Sequence, residues 1–86
     1  MAIVTLRYWA AAKEAAGVAE ETIDARTLAG ALAAAAGRSE QRARFSAVLA
    51  RSSFLIDGMP VGTRAPEDVV LADAATIEVL PPFAGG

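Results

Sequence analysis

Thr76-Ile77-Glu78-Val79-Leu80-Pro81-Pro82-Phe83-Ala84-Gly85-Gly86 closes the sequence, and its two halves follow different rules. From Thr76 to Leu80 the residues alternate, with Ile77 and Val79 on one face, which predicts a half-buried β-strand. Pro81 and Pro82 then end the strand and favour an extended polyproline path, so residues 81–86 are expected to project as a tail. Gly85 and Gly86 carry no Cβ and can thread a narrow channel. Most termini fray, but a frayed end has no use for a Pro-Pro stiffener, and a strand running straight into the tail aims it.

Upstream, Ser53-Phe54-Leu55-Ile56 reads as a strand and Asp57-Gly58 as a tight hairpin turn, since both turn positions favour positive φ. Met59-Pro60-Val61 is the short return strand, and Pro60, which cannot donate to a ladder, places it at a sheet edge. Residues 62–75 read as loop with a short turn after Pro66. At the other end, residues 3–9 alternate. Val4, Leu6 and Tyr8 form the uncharged, core-facing set, and Ile3, Thr5, Arg7 and Trp9 the other. Ala10 to Ala16 make about two helical turns ended by Gly17. Glu20 to Ala25 is a mostly polar strand suited to an edge. Thr27 caps a main helix in which Leu28, Ala31, Leu32 and Ala35 recur at helical spacing and Gly37 is the stop. Ser39 is expected to cap a further helix with Phe45, Val48 and Leu49 on one face and Arg42, Arg44 and Arg51 in solvent. The order β-α-β-α-α-β-β-β predicts an α+β domain: a mixed sheet of about five strands with helices on one face.

Eighty-six residues allow one domain spanning 1–86. At 55% hydrophobic and 21% charged the chain can fold, yet no uncharged run is long enough to cross a membrane. Cysteine and histidine are absent, which excludes disulfides, a zinc cluster, a cysteine nucleophile, a persulfide and a Ser–His–Asp triad. The net charge of −2 argues against nucleic-acid binding. Met1 to Arg7 lacks a signal-peptide pattern, so the expected location is cytoplasmic.

The chemistry therefore falls on the backbone end. A free α-carboxyl, pKa ~3.5, is ionised at neutral pH and is a poor electrophile. ATP can activate it as an acyl-adenylate, and a sulfur donor can then displace AMP to leave a thiocarboxylate. The sequence supplies no P-loop and no histidine base, so a partner must hold the reacting groups.

With these residues in view, the chain resembles the MoaD/ThiS family of ubiquitin-like sulfur carriers, and most of all the small subunit of molybdopterin synthase. The likeness runs from the opening strand at Tyr8-Trp9, through Gly17, the Leu28 to Gly37 helix and Phe54-Leu55-Ile56-Asp57-Gly58, to Leu71-Ala72-Asp73 and Thr76 to Leu80. Pro81-Pro82-Phe83-Ala84-Gly85-Gly86 is its most specific part, because thiamine-branch carriers usually lack the proline pair.

The resemblance implies a β-grasp fold with the first and last strands parallel at the sheet centre. It implies that Gly86, preceded by Gly85, is adenylated by an E1-like (MoeB-type) enzyme using ATP and loaded by a sulfur donor protein. The large, MoaE-type synthase subunit would then receive the sulfur for the molybdenum cofactor. No bound cofactor and no metal are implied. Phe83, flanked by Pro82 and Ala84, would seat the tail in its partner. One departure stands out: the family's common Asp-Gly-Asp turn is Asp73-Ala74-Ala75 here.

Partner docking is expected on the uncovered sheet face near the tail, through Arg7, Trp9, Leu80 and Phe83, although Trp9 and Leu80 also suit a rim packed under a loop. Three other functions fit the same ending. These are a sibling carrier for cysteine, thiamine or tRNA thiolation, a modifier joined through Gly86 to lysines, and an interaction domain with an inert tail.

Overall fold

Alternation decides the first strand, β1, Ile3–Tyr8: Val4, Leu6 and Tyr8 are buried while Ile3 and Arg7 face out. The computed structural model describes residues 2–82. Trp9 lies one residue past the strand to which the sequence assigned it. It is the extended residue (φ −121°) that precedes helix α1, Ala10–Ala16, and Gly17 closes that helix at φ +81°. The following elements are β2 (Glu20–Asp24), α2 (Leu28–Arg38), α3 (Arg42–Arg51), β3 (Ser53–Ile56), β4 (Met59–Pro60), a 3₁₀ turn (Pro66–Asp68) and β5 (Thr76–Leu80).

The five strands lie in the order β2-β1-β5-β3-β4. β1 and β5 run parallel, with Leu6 beside Ile77 and Tyr8 beside Val79, and the other pairings are antiparallel. β5 is therefore hydrogen-bonded on both sides. The two strands the sequence placed at edges, β2 and the proline-bearing β4, are at the edges. β4 is shorter than expected because Pro60 interrupts it, although Val61 N–H still donates to the Phe54 carbonyl at 3.0 Å.

Two helix boundaries differ from the sequence reading. Thr27 does cap α2, its Oγ1 accepting from Gly30 N at 3.1 Å. Gly37, however, does not stop the helix, which continues to Arg38. Arg38 explains the extension: its guanidinium donates to the Thr22 carbonyl at 2.9 Å and pairs with Glu21 at 3.3 Å, tying that turn to β2. An interior glycine costs about 1 kcal/mol, which such ties can offset. Ser39 does not cap α3, whose N-cap is Gln41 with no side-chain bond. Its hydroxyl instead donates to the Ala15 carbonyl at 2.8 Å and accepts from Gln41 N at 3.0 Å, joining the end of α1 to the α2–α3 link.

The core lies between the sheet and the helices. Phe45, Leu6, Leu28, Ile77, Val4 and Val79 are its largest fully buried side chains, each worth roughly 1.5–3 kcal/mol of burial. Ala12, Ala15, Ala31 and Ala35 line the seam between helices and sheet, where a methyl group lets backbones approach closely. Asp57 and Gly58 take φ +48° and +84°, as the hairpin reading requires.

Ala74, the middle residue of the Asp73-Ala74-Ala75 departure, takes the left-handed conformation at φ +69°. Two bonds hold it there: Ala74 N–H donates to the Ile3 carbonyl at 2.8 Å, and Asp73 Oδ1 accepts from Ile3 N at 2.9 Å. A Cβ at positive φ costs about 1–2 kcal/mol, and glycine's extra unfolded-state freedom returns about 0.4–1. Ala74→Gly should therefore stabilise the fold by about 0.5–1 kcal/mol and raise Tm by about 2–8 °C. A lower Tm by calorimetry would contradict this account of the turn.

Candidate functional site at the root of the tail

β5 delivers the chain to the site. Held by β1 and β3, it ends at Leu80, half-buried and paired with Ser53. Pro81 is buried and Pro82 exposed, so Pro81, expected as the first residue of the tail, belongs to the packed body. Pro81 is held because it packs at the open ends of the helices. Together with Pro82, Ala11 of α1, and Val48 and Arg51 of α3, it lines a shallow notch of about 140 Å³. Phe83, Ala84, Gly85 and Gly86, the rest of the candidate site, lie outside the described residues.

On the open face of the sheet, the register sets Glu20, Arg7, Glu78 and Leu55 in one row across four strands. Arg7 pairs with Glu20 at 3.6 Å, and its guanidinium lies 5.8 Å from the centroid of the Trp9 ring. Trp9 is 43% exposed, and its covered part lies beside Ala10, Lys13 and Ala19. The structure thus brings Arg7 and Trp9 together on one surface, with Leu80 on the neighbouring strand. A half-exposed ion pair contributes little to stability, and a tryptophan face beside a cation is well suited to contact.

One group beneath this surface was not apparent in the sequence. Tyr8 donates its hydroxyl to Glu21 Oε2 at 2.6 Å, and Glu21 in turn pairs with Arg38. Burial, and then the Glu21 hydrogen bond, push the Tyr8 hydroxyl far above its ordinary pKa, so it remains a neutral donor. Its role is structural, tying β1, β2 and α2 together under the Arg7–Trp9 surface. Alternation put Tyr8 on the core face, but nothing local linked it to residues 13 and 30 positions away. Among the described residues there is no cluster of three or more groups able to hold a metal, and no helix is long and apolar enough to cross a membrane.

The model of the ThiS family matches residues 6–86, from β1 through the final glycine. The chain belongs to the ThiS family. Among solved structures, this ThiS-family chain is similar to small archaeal modifier protein 1 from Methanosarcina acetivorans, with TM-score 0.82, 22% identity and coverage of 100% of this chain and 98% of that one. It is also similar to a putative molybdopterin converting factor subunit 1 from Pyrococcus furiosus, with TM-score 0.75, 23% identity and 96% and 100% coverage. A third likeness is to a chain in the complex of subunits 1 and 2 of the molybdopterin-converting factor from Helicobacter pylori, with TM-score 0.68, 23% identity and 98% and 99% coverage. At these identities the neighbours establish the fold: the ubiquitin-like β-grasp, with its first and last strands parallel at the centre, as the ThiS resemblance implied. No curated protein matches the sequence.

Proposed function

We propose that this ThiS-family chain is a sulfur carrier, the small subunit of a molybdopterin synthase, and that its working group is the C-terminal carboxyl of Gly86. One observation carries the reading: the family match runs through Gly85-Gly86, and these glycines follow two prolines at the end of a strand bonded on both sides. Histidine and cysteine are absent from the sequence, so the chain presents its end to chemistry performed by others. The Gly86 carboxylate would attack the α-phosphorus of ATP in an E1-like partner, releasing pyrophosphate and forming the acyl-adenylate. A sulfide equivalent from a donor protein would then displace AMP and leave the thiocarboxylate. Its sulfur would pass to a pterin precursor in a MoaE-type large subunit. The Pro-Pro lead supports the molybdopterin branch, as does the likeness to subunit 1 proteins.

A second reading, a modifier conjugated through Gly86 to lysines, draws on the likeness to small archaeal modifier protein 1. Both begin at the same adenylate, and one experiment separates them. The chain is incubated with an E1-like enzyme, ATP and a sulfur donor, and its intact mass is measured. The expected product has one oxygen replaced by sulfur at a terminus confirmed as Gly86, and the charged chain co-purifies with a MoaE-type subunit. Lysine-linked adducts without sulfur exchange would replace the carrier reading with the modifier. Sulfur exchange without capture of that subunit would point to another acceptor.

A further inference from the structure

We propose that the notch formed by Ala11, Val48, Arg51, Pro81 and Pro82 is a docking point for the activating enzyme, which fills it with an apolar side chain bordered by a carboxylate. The proposal rests on the carrier reading and names a contact on the helical side of the domain, away from the sheet face that carries Arg7 and Trp9.

Size is the first argument. The notch is an open depression of about 140 Å³, room for one apolar side chain to seat against Ala11, Val48 and Pro81. Charge is the second. The helical layer has several exposed arginines, and most are already engaged. Arg38 holds Glu21 and Thr22, Arg42 the Gly37 carbonyl, and Arg44 both Glu14 and Gln41. Arg51 has no hydrogen bond or ion pair among the described residues, and it stands at the rim of an otherwise apolar pocket. A guanidinium beside an apolar hole is complementary to a carboxylate beside an apolar side chain, and such a pair favours one partner over others.

Position is the third argument, and it ties the notch to function. Pro81 and Pro82 are at once a wall of the notch and the base of the tail. A partner seated there grips the stalk at its root and fixes the direction in which the next four residues leave. Acyl transfer at Gly86 depends on such placement, because an error of about 1 Å can lower a rate 100-fold. A partner that touched the sheet face alone would hold the tail from one side.

The test compares Arg51→Glu with Arg42→Glu, which makes the same charge change on the same helix away from the notch. ATP-dependent charging of Gly86 by the activating enzyme is followed by intact mass, alongside melting temperature and gel filtration. Arg51→Glu should raise the KM for the carrier about tenfold or more with kcat within twofold, while Arg42→Glu stays near wild type, both with Tm preserved. Equal KM values for the two variants overturn the proposal. Faster charging of Arg51→Glu overturns it in favour of the chain's own tail as occupant, and loss of a wild-type dimer in favour of a second copy. If wild-type chain is never charged at Gly86, the carrier reading fails and this proposal with it.

Discussion

Deleting Gly86, or adding one residue after it, should reduce sulfur loading more than about 100-fold and leave the melting temperature within about 2 °C of wild type. The argument is geometric. One residue of extended chain spans about 3.3–3.6 Å, several times the misplacement that already costs an acyl transfer about two orders of magnitude. The base of the stalk is fixed, because Pro81 is buried beside Ala11 of α1 and Val48 of α3 and β5 is paired on both sides, so the change in length falls on the terminus. Stability should be indifferent, since the core cluster among the described residues runs from Val4 to Val79 and is complete within the strands and helices. Loading is read by intact mass and stability by thermal unfolding of the same samples. Substantial loading of either variant would remove Gly86 from its assigned role, whereas a large drop in Tm would instead assign the tail to the core.

How far the fold could be read in advance depended on whether the deciding interaction was local. Thr27 as a cap, Gly17 as a left-handed stop and Asp57-Gly58 as a turn are each decided within four residues, and each is found in place. The core faces of β1 and β5 were legible for the same reason: alternation is a property of neighbours. Gly37 and Ser39 misled because distant partners decide them. Arg38 gains Glu21 and Thr22 across to β2, and Ser39 gains the Ala15 carbonyl from another helix.

The site divides along the same line. Arg7 and Trp9 could be named from the strand's outer face. The notch could not, since Ala11, Val48, Arg51 and Pro81 come from three parts of the chain and are unremarkable in each. Ala74 lies between these cases. Its departure from an Asp-Gly-Asp pattern was visible in the sequence, but only the backbone reveals that the alanine itself takes the positive φ.

Phe45→Ala should be the most damaging single core change, lowering stability by about 3–5 kcal/mol and Tm by about 12 °C or more. Phe45 is fully buried in α3, and its ring meets Tyr8 edge-on, with centroids 5.3 Å apart and planes at 85°. Truncation would remove both the burial and that contact, itself worth about 0.5–1.5 kcal/mol. It would also leave a cavity beneath β1 that the rigid seam of alanines cannot collapse to fill. A domain of this size has only about 5–10 kcal/mol in total, so the variant would sit near its unfolding threshold at growth temperature. The loss should also reach the site, because Phe45 braces the helix that presents Val48 and Arg51 and the strand that leads to Trp9. Chemical unfolding should give the lower midpoint, and charging of Gly86 assayed well below the new Tm should show a raised KM for the carrier with kcat retained. A stability loss under about 1 kcal/mol would mean that Tyr8 and its neighbours close the gap and that the edge-on pair is not what fastens α3 to the sheet.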